Sequence, residues 1–226
     1  MRSVKSRLGL LGAVVLATAA TQASPDHRVA GIVELPALFG TTDPNGPPGQ
    51  RPPERAESVP VHAAPDVASE VLARIARADD IESREFSYEA LGALSYGDRR
   101  SWHLVRARTD TGWALGWLSP RYAGPFHPLD SLLLDGLTYL TEAWDGRLFP
   151  SAGAETESAR LAPAPTNRDI VVQQARRIQD ALWLEVEVLA PGRCEGPGAP
   201  AVVARGWIRA HGRDGSPTAW FYSRGC

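Results

Sequence analysis

The segment Ala181–Val188 (ALWLEVEV) decides the fold class. In an extended chain Leu184, Val186 and Val188 fall on one side, and Trp183, Glu185 and Glu187 on the other. That two-residue period marks a strand with one face in a core. Ser101–Ala107 (SWHLVRA), Gly116–Leu118 and Ala201–Ile208 (AVVARGWI) have the same character, with Gly, Asp and Arg as punctuation between them. Short segments of this kind predict antiparallel strands of a barrel or sandwich. Ala68–Ala78 (ASEVLARIARA) fits a helix, or equally a strand followed by a turn. The chain is expected to be mainly β, with few or no helices after its N-terminus.

Working outward, the pattern repeats. Trp102-x-x-Val105 is followed by Gly116-Trp117-Leu118, and Trp183-x-x-Val186 by Gly206-Trp207-Ile208. Upstream, Val61-His62-Ala63-Ala64-Pro65 precedes Ser69-Glu70-Val71-Leu72-Ala73 in the first copy, and Arg147-Leu148-Phe149-Pro150 precedes Glu157-Ser158-Ala159-Arg160-Leu161 in the second. The tryptophans are 15 residues apart in the first copy and 24 in the second, where the Pro/Gly insertion Ala190–Pro200 (APGRCEGPGAP) takes up the difference. Between the copies, Asp135-Gly136 separates two leucine-rich runs and predicts a hairpin. Repetition of this kind gives two copies of one small β unit.

The order of an early strand with a Pro, a W-x-x-V strand and a G-W-[LIV] strand resembles the bacterial SH3 domain family. The resemblance covers residues 59–120 and, less fully, 137–210. It implies two small SH3-like β-barrels in tandem, of the kind appended to cell-wall enzymes or used as envelope binding modules. The chain departs from the family pattern in three places: a Pro-rich loop at 40–55, the insertion at 190–200 and an extra C-terminal strand, Thr218–Arg224. The expected organisation is a signal peptide at 1–23, an N-terminal strand and Pro-rich loop at 24–58, a first unit at 59–128 and a second at 129–226.

If Val186 is core, Trp183 lies on the outer face beside Glu185 and Glu187, and Trp102 is placed likewise relative to Val105. An indole there either offers a flat stacking platform for a sugar, proline or arginine, or is covered and caps the barrel. Trp117 and Trp207 follow a glycine that allows close backbone approach, which favours packing. The ligand-binding candidates are therefore Trp102, Trp117, Trp183, Trp207 and Glu185.

Composition bounds the rest. The 226 residues are 43% hydrophobic and 22% charged, enough apolar content for a core in one large or two small domains. Arg2, Lys5 and Arg7, the apolar run Leu8–Ala17 and the small-residue site Thr21-Gln22-Ala23 read as an export signal cleaved before Ser24. The run is too short to span a bilayer as a helix. Cleavage leaves 21 basic against 26 acidic residues, a net charge of −5, which argues against nucleic acid or anionic lipid as the main partner. The expected location is the periplasm or outside the cell, with no membrane span after cleavage. Cell-wall material or an envelope protein is the expected partner. Lys5 is the only lysine, so the mature chain has no Walker A loop, Schiff-base lysine or Ser-Lys site. Cys194 and Cys226 are the only cysteines, and in an exported chain they are expected to form one disulfide. It would close a loop of about 33 residues, worth roughly 3–4 kcal/mol on a chain-entropy model.

The search for catalysis is largely negative. His27, His62, His103, His127 and His211 are scattered without metal-ligand spacing, and no G-x-S-x-G elbow occurs. No metal or cofactor is expected. His103 shares a face with Val105 and reads as a half-buried structural residue. One enzyme resemblance stands out. His211-Gly212 followed by Ser223-Arg224-Gly225-Cys226 resembles the H-G … S-x-G-C motif of L,D-transpeptidases. Here the chain ends at the cysteine, where that motif continues to an arginine, and a terminal carboxylate raises the thiol pKa. The expected function is a non-catalytic envelope binding module for a cell-wall peptide or glycan. The alternatives are an accessory partner of another envelope protein and, more remotely, a cysteine transpeptidase.

Overall fold

A computed structural model describes residues 28–39, 56–161, 167–191 and 200–225. The expected signal peptide, the loop at 40–55, Cys194 and Cys226 all lie outside the described residues. The first part of the chain forms β1 (Gly31–Glu34), β2 (Val59–His62), β3 (Val71–Ile75), β4 (Ser83–Ser87), β5 (Ala90–Arg99), β6 (Trp102–Thr109), β7 (Gly112–Leu118) and β8 (Phe126–Pro128). The second forms β9 (Thr138–Leu140), β10 (Arg147–Leu148), β11 (Ala159–Arg160), β12 (Asp169–Ile178), β13 (Ala181–Leu189), β14 (Val202–Arg209) and β15 (Ala219–Phe221). Two short helices, α1 (Pro36–Phe39) and α2 (Leu129–Asp135), and one 3-10 turn accompany them. The protein is mainly β and its named strand pairs are antiparallel, as its periodicity predicts. No described helix is long and apolar enough to cross a membrane.

The repeat governs the topology. The first sheet runs β3-β2-β7-β6-β5-β1-β8, with β4 also on β5. The second runs β14-β13-β12-β9-β15, and the small β10–β11 ribbon joins β14 through a bridge between Phe149 and Trp207. Both halves thus consist of one leading strand, a small ribbon, a three-stranded meander and a final strand returning to the leading one. The registers agree residue by residue. Val105 faces Gly116 and Leu104 faces Trp117, while Val186 faces Gly206 and Glu185 faces Trp207. His62 then pairs with Trp117 as Phe149 pairs with Trp207. Glycine is needed at this crossing. A Cβ on Gly116 would stand 2.5 Å from Val61 Cγ1, and one on Gly206 would stand 3.1 Å from Leu148 Cβ.

Four expectations require correction or refinement. Neither sheet closes on itself, so two open sheets stand where two barrels were expected. The first sheet ends at β3 on one side and at β8, hydrogen bonded to β1, on the other. β1, expected ahead of the first unit, lies inside that sheet between β5 and β8. Asp135-Gly136 ends a helix instead of turning a hairpin. Leu129 and Leu133, four residues apart, are both buried on one helical face, and this burial outweighs the local turn preference. For Ala68–Ala78 the strand alternative holds, with β3 paired to β2 and followed by the 3-10 turn Ala78–Asp80.

Two cores result. One belongs to the first sheet and contains Val33, Val59, Val61, Ile75, Val105 and Leu118. The other is shared between the sheets. Val29, Ile32 and Leu94 from the first half pack with Leu133, Leu140, Ile170, Leu184, Val186 and Ile208 from the second. The two halves therefore meet through apolar burial, and their junction also forms the cleft described next.

Candidate functional site

A cleft of about 320 Å³ opens at this junction, lined by residues of both halves. From the first half come Glu82, Arg84 on β4, Tyr96 on β5 and Arg106 on β6. From the second come Tyr139 on β9, Thr141, the turn Asp214–Pro217 and Trp220 on β15. Leu94 and Phe221 are buried in the shared core, whereas Tyr96 and Trp220 stay half-buried at its rim.

The polar groups are tied together. The Tyr96 hydroxyl donates to Glu82 Oε2 at 2.6 Å, and Arg106 Nη1 lies 3.8 Å from the same oxygen. Burial, reinforced by the Glu82 carboxylate, raises the Tyr96 pKa, so the phenol stays a donor. Burial also raises that of Tyr139, against the pull of the Arg84 charge. On the other wall, Thr141 Oγ1 donates to the Pro217 carbonyl at 2.6 Å and fixes the turn. Asp214 accepts from the Ser216 amide and hydroxyl, which holds its carboxyl below the usual range. The cleft thus offers phenol edges, an indole, two carboxylates and two guanidinium groups. That set suits hydroxyl, amide and sugar-face recognition.

The tryptophans expected to bind lie elsewhere. Trp183 does sit on the face opposite Val186, but it is only 2% exposed. Phe149 meets it edge-on at 5.2 Å, Trp207 completes the cluster, and Arg209 lies over its ring at 5.3 Å. Trp102 is buried against His62 in the same edge-on geometry, at 5.5 Å. The covered alternative therefore holds for Trp102, Trp183 and Trp207, while Trp117 is half-buried. Glu185 accepts from Gln174 on the neighbouring strand. None of these five residues lines the junction cleft. Among the other tryptophans, Trp144 is buried and Trp113 is exposed. At the last strand, Tyr139 and Tyr222 are in ring contact at 4.7 Å beside Trp220.

His103 is buried on the face of Val105, with Ser95 Oγ 3.4 Å away and Phe126 against its ring. Burial lowers its pKa below the ordinary 6.5, with Asp98 opposing. The unfolded chain therefore binds its proton more readily, so stability present above about pH 6.5 declines as the pH falls through that value. His103→Gln is expected to flatten this part of the pH profile, which urea midpoints at pH 7.5 and 5.5 would show. A wild-type slope retained in the variant would assign the effect to another group.

The transpeptidase-like motif needs His211 beside Cys226. Cys226 lies outside the described residues, while His211 Nε2 lies 2.8 Å from the Val29 carbonyl. His211 lines different clefts from Ser223. No group of three His, Cys, Asp or Glu among the described residues could hold a metal ion. No family model, curated protein or solved structure matches the chain. The site is accordingly read from its chemistry.

Tyr96, Tyr139, Trp220 and the Glu82–Arg106 pair were not singled out from the sequence. Trp220 and Tyr222 carried a partial signal, since they alternate with Phe221. Tyr96 and Tyr139 carried none, because each stands alone among apolar and small residues.

Proposed function

We propose that the protein is an exported, non-catalytic binding module of the cell envelope, built from two SH3-like repeats. Its ligand is a peptide or glycan of the cell wall, received in the cleft between the halves. The observation that carries this reading is the convergence of Tyr96, Tyr139 and Trp220 with the Glu82–Arg106 pair around one cleft of about 320 Å³. That size lies near the lower end of the range for ligand sites, roughly 300–1,000 Å³. Aromatic rings beside hydrogen-bonding groups are the usual means of holding a sugar ring or a peptide bond.

Cosedimentation of the mature protein with purified peptidoglycan tests the reading. The wild type is expected to sediment. Tyr139→Ala and Trp220→Ala are expected to weaken binding roughly ten-fold or more, as truncating a central aromatic anchor does. Failure of the wild type to sediment, or unchanged binding in both variants, would refute it. The accessory-partner reading has one feature in its favour. Trp113 and Tyr88 remain exposed, at 43% and 67%, away from the cleft. Recovery of a stable complex with one envelope protein, alongside no wall binding, would establish that alternative.

A further inference from the structure

Tyr139 lines three clefts. The junction cleft shares Arg84, Tyr139 and Trp220 with a cleft of about 360 Å³ that runs to Tyr222 and Arg224. In another direction it shares Tyr139, Thr141 and Pro217 with a cleft of about 500 Å³ that reaches Glu142 and Asn167. The shared residues make the three clefts neighbours along one groove, with Tyr139 common to all of them.

The sheet register explains the aromatic floor of this groove. Asp169 on β12, Tyr139 on β9 and Trp220 on β15 are successive cross-strand partners, so their side chains rise from the same face. Ile170, Thr138, Leu140 and Phe221, beside them in the chain, point the other way and are buried. Tyr222 follows the strand and joins the same face. Its ring lies 4.7 Å from that of Tyr139, and its hydroxyl donates to Asp169 Oδ1 at 3.0 Å. Trp220 is braced by its stack on Phe221, at 5.0 Å. Tyr139 and Trp220 are half-buried, whereas Tyr222 is exposed.

Charge along the groove comes in both signs. Arg224 makes two hydrogen bonds to Glu85, at 2.8 and 3.1 Å, and Arg106 lies 3.8 Å from Glu82. Arg84, Asp214 and Glu142 complete the charged lining among the described residues, so neither sign dominates. Adjacent rings flanked by hydrogen-bonding groups match the apolar faces and hydroxyl edges that alternate along a sugar chain. A peptide added to the sheet would want a long free edge, and the edge strand here, β15, has only three residues.

We infer that the binding site continues from the junction cleft past Tyr139 to Tyr222, and that its ligand is a linear glycan held over several consecutive sugar rings. The inference rests on the binding-module reading. It selects the glycan over the peptide and adds Tyr222 to the residues that hold it.

The test titrates the mature full-length chain with β-linked N-acetylglucosamine oligomers: a disaccharide, a tetrasaccharide and a hexasaccharide. Affinity is expected to rise roughly ten-fold or more from the disaccharide to the tetrasaccharide, because the longer chain reaches a second ring platform. Tyr222→Ala is expected to remove that gain and to leave disaccharide binding and melting close to wild type, since Tyr222 is exposed beyond the end of β15. Tyr222→Phe keeps the ring without the hydrogen bond to Asp169 and is expected to keep the gain. No oligomer binding, equal affinity across the series, a full gain in Tyr222→Ala, or loss of the gain in Tyr222→Phe would overturn the inference. The wild-type length series decides even where Tyr222→Ala melts early. Peptidoglycan sedimentation separates the two readings. Wall binding without oligomer binding overturns the glycan alone and leaves a wall peptide as the ligand. Length-dependent oligomer binding without wall binding removes the wall ligand alone.

Discussion

Ile32→Ala should lower the stability of both halves together, by about 2–5 kcal/mol, the usual range for truncating a fully buried aliphatic side chain. Ile32 is completely buried on β1, between Leu94 of β5 and His127 of β8. Its side chain belongs to the core that also contains Leu184, Val186 and Ile208 of the second sheet. A sequence read as two beads on a string would have the halves melt separately, with Ile32 touching only the first. The shared core predicts one cooperative transition instead, shifted down by roughly 2–4 °C per kcal/mol for a chain of this size. Amide exchange in β6 and β13 reports the two sheets individually. Faster exchange in β6 with β13 unaffected would show that the halves are energetically independent.

Trp183→Ala should cost about 3–5 kcal/mol, the range for emptying an aromatic site in a packed interior. The ring is almost fully buried beneath Phe149, against Trp207, with Arg209 above it. Removing it leaves a void between Phe149 and Trp207, the two residues that bridge the ribbon to β14. Wall binding measured well below the melting temperature should survive, because Trp183 lies outside the junction cleft. An unchanged melting temperature with lost binding would restore the indole as a ligand platform. Trp183→Phe should recover part of the stability, which distinguishes packing from any specific need for the indole.

The repeat was legible because it is written in local features. W-x-x-V and G-W-[LIV] each lie within one strand, and a hairpin between them has few choices of register. Val105 opposite Gly116 and Val186 opposite Gly206 follow once the glycine must face the crossing strand. Upstream, only the blocks 61–65 and 147–150 could be matched in the sequence, and the register made His62 and Phe149 equivalent. That equivalence becomes a matched pair of edge-on aromatic contacts, to Trp102 and Trp183. Asp135-Gly136 was misleading because the same two residues serve a hairpin turn and a helix end. The choice lay with distant residues that bury Leu129 and Leu133.

By itself, the sequence determined that this chain is mainly β, that it contains one unit twice, and that Lys5 is its only lysine. Period-two alternation established that Trp183 and Val186 occupy opposite faces of a strand. It could not establish which face would be covered, because burial depends on what packs across from it. Only the tertiary structure laid Phe149 over Trp183, left both sheets open, and joined the halves through Ile32. The junction cleft has the same origin. Tyr96, Tyr139 and Trp220 come from strands far apart in the chain, and nothing local to any of them records that the other two will be its neighbours.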